Sequence, residues 1–212
     1  MDNTGSITAT SLDVIDNATT PADEVEGTIY PSNCNGGSNF GMILNDSVIF
    51  GTGSPLAGAN FGQGVCLTLA ASPTFSIDTG ILFGQPGVPT AADFTSSSDV
   101  FAGQNIRVKV TGAANGTNGI NATATALILR FSRLTGTVST PGSIVFNITG
   151  LPAYITAFTT PPQVATYANA TVLEGTTSVA SLTNSQTVSI TALFLNPAKI
   201  TPPLQAAKVR AH

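Results

Sequence analysis

Apolar and polar residues alternate in short runs along this chain, and glycine or proline interrupts the runs every few positions. The clearest run sets Ile106, Val108 and Val110 against Arg107, Lys109 and Thr111, which is the period of a half-buried β-strand. The same pattern predicts strands at 6–15, 25–30, 41–44, 47–50, 65–69, 74–78, 105–111, 121–131, 134–139, 143–149, 164–167, 171–173, 187–194 and 205–210. The turn pairs Asn35-Gly36, Asn115-Gly116, Asn118-Gly119 and Pro141-Gly142 fall between them. Helix-period segments are almost missing, so the expected fold is all-β: two successive small antiparallel barrels, OB-like, or a sandwich and barrel pair.

The halves of the chain repeat each other. Asp99-Val-Phe-Ala-Gly-Gln104-Asn-Ile-Arg-Val108 lies over Ser181-Leu-Thr-Asn-Ser-Gln186-Thr-Val-Ser-Ile190, with Gln104 on Gln186. Ala126-Leu-Ile-Leu-Arg130 lies over Ala206-Ala-Lys-Val-Arg210, and Glu26-Gly-Thr-Ile29 over Thr135-Gly-Thr-Val138. This divides the chain into an arm or lead strand at 1–24, a first repeat with an insertion at 25–133, and a second repeat at 134–212. Gln63-Gly-Val65-Cys-Leu67-Thr-Leu69 resembles a third version of the Gln104 strand and suggests an inserted hairpin, or two fused half-units, in the first repeat. Gln104 and Gln186 each stand at a strand entrance, where a side-chain amide can bond the backbone of a turn.

Only 8% of the residues are charged, against about a quarter in typical soluble domains, so Ser, Thr and Asn wet this surface. All seven bases lie from Arg107 onward, while ten of the eleven acids precede it, leaving a net charge of -4. That dipole along the chain suits abutting halves or head-to-tail attraction between copies. Clustered bases and stacking aromatics are lacking, which argues against a nucleic-acid partner. No apolar run approaches the roughly 20 residues of a membrane helix. The opening Met1-Asp2-Asn3-Thr4-Gly5 has no signal-peptide pattern, and the natural protein is expected to be longer. Cys34 and Cys66 are the only thiols, and in so uncharged a chain they fit one disulfide of an exported protein. Two separate buried thiols are the alternative.

Few constellations carry chemistry. The one histidine, His212, is the last residue, which leaves nucleophilic triads without a well-placed base and gives zinc, which wants four ligands, only His212 to join the two cysteines. Asp78, Asp93 and Asp99 could supply a glycosidase carboxylate pair, but read more simply as turn carboxylates. The glycine-rich stretches at Gly51, Gly53, Gly62 and Gly64 lack the lysine and helix of a phosphate cradle. Asp13, Asp16, Asp23, Glu24 and Glu26 are weak calcium candidates without the loop spacing of a calcium hand. No cofactor is expected. Asn-x-Ser/Thr triplets begin at Asn17, Asn45, Asn115, Asn121, Asn147 and Asn169, as composition alone would produce.

The order Gly136-Thr-Val138, an alternating strand, Ala170-Thr-Val-Leu-Glu-Gly175, Gln186-x-Val188-x-Ile190 and a closing Ala207-Lys-Val-Arg210 resembles the bacterial exported β-domain family called domain of unknown function 5666. The likeness is good over 134–210, weaker over 25–133 and absent before. It implies a small OB-like barrel found in tandem in envelope or secreted proteins, and no catalytic residue. Asn184-Ser185-Gln186 departs from the Val-Gly-Gln that the family would carry.

These observations point to a non-enzymatic exported or cell-surface module that is structural or binding. Two alternatives stand beside it. One is a filament or surface-layer subunit that adds an arm, Asp2 to Ile15, to a neighbour's sheet. The other is an OB-like binder of a small molecule, glycan or calcium, using loops near Gly53, Gly87 and Pro161-Pro162.

Overall fold

The computed structural model describes residues 23–31, 34, 40–49, 56, 59, 61–116 and 119–212. Among them the chain forms β1 (Asp23–Tyr30), β2 (Phe40–Ile49), β3 (Gly64–Ile77), β4 (Asn105–Gly116), β5 (Gly119–Arg130), β6 (Ser132–Thr140), β7 (Val145–Thr149), β8 (Gln163–Ala165), β9 (Val172–Glu174), β10 (Thr187–Phe194) and β11 (Leu204–Ala211). Among the described residues the only helical pieces are single 3-10 turns. The proposed arm and Asp13 and Asp16 lie outside the described residues, as do the Asn35-Gly36 turn and the Gly53 loop.

β1 to β5 close into a barrel in the order β1-β2-β3-β5-β4. β6, β7, β8, β11 and β10 close in the corresponding order, and β9 is added on β11. The chain is therefore two small OB-like barrels rather than a sandwich. A ring of five strands cannot alternate direction all the way round, because alternation needs an even number. One parallel contact must occur, and it falls at β3 against β5 and at β8 against β11. This corrects the wholly antiparallel expectation. Two pairs of expected strands are also single ones: 41–44 and 47–50 join in β2, and 65–69 and 74–78 in β3. Pro73 is tolerated because it sits in the register shift between Leu69 and Thr74, where the ladder to β5 is already interrupted.

The sequence repeat falls on topologically equivalent strands, and the hydrogen bonds repeat with it. Gln104 Oε1 accepts the Phe101 N–H at 2.6 Å, and Gln186 Oε1 accepts the Thr183 N–H at 3.0 Å. Ile29 exchanges backbone bonds with Gly103 and Gln104 at 2.7 and 2.8 Å, and Val138 with Ser185 and Gln186 at 2.8 and 2.9 Å. Gly27 and Gly136 share a steric reason: a Cβ on Gly27 would overlap the Ile43 carbonyl and the Met42 side chain, and one on Gly136 would come 2.8 Å from the Thr149 carbonyl. Arg130 pairs with Asp78, and Arg210 with Glu174 at 3.6 Å, each acid standing just beyond the strand parallel to its arginine or at its end. The Gln63 strand is β3, the counterpart of β8, so it is no third copy. About half of the extra length of the first repeat lies between Asp78 and Gln104, a connection more than twice as long as that from Glu174 to Gln186, and most of the rest lies between Gly27 and Asp78.

One position tests the equivalence. Gly103 has φ +96°, and its counterpart Ser185 has φ +66°, a left-handed conformation that costs a side-chain-bearing residue about 1–2 kcal/mol. Because Ser185 is exposed, Ser185→Gly is expected to raise stability by about 0.5–1 kcal/mol, net of glycine's greater freedom in the unfolded chain. A urea midpoint that stays put or falls would refute this.

The cores meet along one strand. At the end of β10, Phe194 is buried in the second barrel's core, stacked on Phe158 at 4.8 Å and Phe101 at 6.1 Å. Its neighbours Leu193 and Leu195 point the other way and are fully buried among Val25, Met42 and Ile106 of the first core. Strand alternation thus feeds consecutive side chains to two cores. The long β3–β4 connection clasps the second barrel as well. Its Leu82 packs on Ala170 and Ala207, and its Gly87 carbonyl lies 3.2 Å from the Tyr167 hydroxyl, which also bonds Gln205 Oε1. Burial pushes the Tyr167 phenol up.

Candidate functional site

Beside this shared wall the two barrels leave a groove of about 500 Å³. Its sides come from the register of the first barrel, in which Glu26 stands opposite Arg107 and Thr28 opposite Asn105. Asn45 Nδ2 donates to Thr28 Oγ1 at 2.9 Å and to Asn105 Oδ1 at 3.1 Å. Asn105 Nδ2 in turn donates to Glu26 Oε1 at 2.7 Å, and the Asn105 N–H to Ser132 Oγ at 2.9 Å. Glu26 is nearly buried and also receives Arg107 Nε at 3.2 Å, with Arg130 Nε at 3.6 Å. The groove wall is thus a fixed row of amides, hydroxyls and one compensated carboxylate. Over it stand two exposed aromatic rings, Phe61 at 83% and Tyr154 at 43% exposure, and the exposed guanidinium of Arg133 on β6.

Arg133 differs from every other base. Lys109 pairs with Glu24 at 3.1 Å, Lys199 with Asp99 at 2.7 Å and Lys208 with Glu174 at 2.7 Å, while Arg107, Arg130 and Arg210 have the partners given above. Arg133 meets no carboxylate among the described residues. The pairing between acids and bases is therefore mostly cross-strand screening within each barrel, and among the described residues only Asp99 with Lys199 crosses from one repeat to the other.

No family model matches the chain, and no curated protein or solved structure is significantly similar to it.

The remaining residues singled out by sequence are dispersed. Of the calcium candidates, Glu24 and Glu26 are on β1 and each faces a base, so their charge is already neutralised. The described residues bring no three potential ligands together for a metal ion. Glu174 is held below the usual carboxylate range, first by its bond to Lys208. Cys34 and Cys66 form a disulfide. His212 is not loose: its N–H donates to the Thr187 carbonyl at 3.0 Å, and its ring lies 2.9 Å from Ser189 Oγ on an exposed sheet face. Asp93 accepts the Thr90 N–H at 2.8 Å and is a turn carboxylate. Gly87 sits beneath Tyr167, whereas Pro161-Pro162 line a separate proline- and threonine-rich hollow with Phe158 and Pro197, so those loops build no common mouth.

Sequence reasoning missed two things. Asp99 is fully buried, accepting the Thr95 and Ser96 N–H groups at 2.9 and 3.2 Å while gripping Lys199 and Asn196 of the second barrel. The Ser96-x-x-Asp99 capping pattern was a signal for the first half of that role. Nothing local distinguishes Arg133, Phe61 or Tyr154, which come together only when the barrels do.

Proposed function

We propose that this chain is a non-enzymatic exported module that works by binding and bracing. The shared wall carries the reading. A strand that lends Leu193 and Leu195 to one core and Phe194 to the other, with Asp99 pinned across the seam, holds two barrels as one stiff body. The Cys34–Cys66 bond supports an oxidising compartment, and the resemblance to exported β-domains agrees with that placement. No helix among the described residues is long and apolar enough to cross a membrane.

Cell fractionation with a thiol-trapping reagent tests the placement. The natural protein is expected outside the cytoplasm with both cysteines unlabelled. A cytosolic pool with labelled Cys34 and Cys66 would overturn it. The filament alternative draws less support, because both rings close; among the described pairings the open edges are β9 and the far parts of β3 and β4, which pair only with β5 there.

A further inference from the structure

We propose that the groove between the barrels binds a carboxylated saccharide of the uronic-acid type, with Arg133 as its carboxylate receptor. The inference rests on reading the chain as a binding module and adds the ligand class and its place.

Four features select that class. First, Arg133 is an exposed guanidinium without a carboxylate among the described residues, in a protein whose other six bases are all paired. A guanidinium presents a planar fork that matches a carboxylate with two parallel bonds. Second, Phe61 and Tyr154 flank the same groove with large exposed faces, on which the C–H face of a sugar ring can lie. Third, the wall carries hydroxyl and amide groups fixed by one another. Thr28 Oγ1 accepts from Asn45, which leaves its own proton to give, and Asn45 Oδ1 has no partner among the described residues. That mixture of donors and acceptors suits neighbouring sugar hydroxyls. Fourth, a groove of about 500 Å³ has room for a short oligosaccharide.

The same features weigh against other ligands. β1 and β10 are bonded on both sides over most of their length, and the edge that β6 leaves at 132–136, paired there with β10 alone, is too short to hold an extended peptide along the groove. A polyphosphate or nucleic acid would need several free cations and would meet Glu26. A purely apolar molecule would strand the amides and the arginine.

The test is calorimetric titration of the intact oxidised protein with uronate trisaccharides of several linkages, including trigalacturonate, and with the methyl esters of the same sugars. Binding of at least one acid is expected, with its ester about 10-fold weaker, a difference of about 1.4 kcal/mol. Arg133→Gln should weaken the acid by a similar factor and leave the ester unchanged. Tyr154→Ala should weaken both, and Lys208→Gln, outside the groove, neither. No heat from any of the acids up to about 10 mM, equal affinity for acid and ester, or an unaffected Arg133→Gln variant would each overturn the proposal; about 10 mM corresponds to only about 3 kcal/mol of binding. Mass spectrometry of the same mixtures separates the two readings. Cleaved trisaccharide would sink the non-enzymatic reading while leaving the groove as the site, whereas intact sugar that fails to bind would sink the groove alone.

Discussion

Replacing Asp99 with alanine is expected to destabilise the protein by about 3 kcal/mol, the lower end of what breaking a buried ion pair costs. The lower end applies because Lys199 keeps 38% of its side chain in water and can be rehydrated once its partner is gone. Against that, the variant also strands the Thr95 and Ser96 N–H groups and leaves the Asn196 amide only its longer bond to the Ser98 carbonyl at 3.4 Å. The acidity of the group gives a second readout. Burial by itself would raise the Asp99 pKa and is the largest single influence, but Lys199, Asn196 and the Thr95 N–H together overcome it and hold the pKa down at about 2. A depressed carboxylate stabilises the fold above its unfolded pKa, near 3.8, and loses that contribution as the pH falls through the folded value. The shift corresponds to about 2 kcal/mol, fully present at pH 6 and about half gone by pH 3. The stability gap between the native chain and Asp99→Asn should therefore narrow between pH 5 and pH 2, as read by urea unfolding at each pH. A gap that stays constant over that range would show that Asp99 is not ionised in the seam.

Reducing the Cys34–Cys66 bond should cost about 3 to 4 kcal/mol, because the bridge closes a loop with a sequence separation of 32. Cys66 is buried in β3 opposite Gly41 of β2, so the bond ties the segment before β2 to the wall of the first barrel. The protein with both cysteines replaced by alanine and the reduced native protein should share one lowered urea midpoint. Their denaturant slope should be steeper than that of the oxidised protein, since an uncrosslinked unfolded chain exposes more surface. An oxidised and a reduced protein with the same midpoint would show that the bridge constrains nothing the ladder does not already hold.

Much of the fold could be read from period alone, for reasons visible in particular residues. In β4 the alternation of Ile106, Val108 and Val110 is clean because one side of a barrel strand meets the core and the other meets water. β10 was bounded correctly at 187–194, yet its last residues broke the rule that one face is apolar. Leu193, Phe194 and Leu195 are all buried, which period reading takes for a strand end and which in fact marks contact with a second core. Gln104 and Gln186 were legible in so far as each accepts an N–H three residues back along the chain; the bond from Gln104 Nε2 to the Phe194 carbonyl at 2.7 Å, across to the second barrel, was not. Asp99, Arg133, Phe61 and Tyr154 were not, since their roles depend on which element arrives opposite them. An unpaired arginine in particular can be recognised only after every acid has been assigned.

The strand that serves both cores also governs what happens when the molecule is attacked. Proteases outside a cell cut segments that open transiently, at a rate set by how often opening occurs. In a pair of independent barrels, the weaker could open alone and be clipped while the other survived. Here β10 cannot leave the second barrel without withdrawing Leu193 and Leu195 from the first, so the smallest opening that frees it exposes both interiors. Each barrel inherits the endurance of the pair.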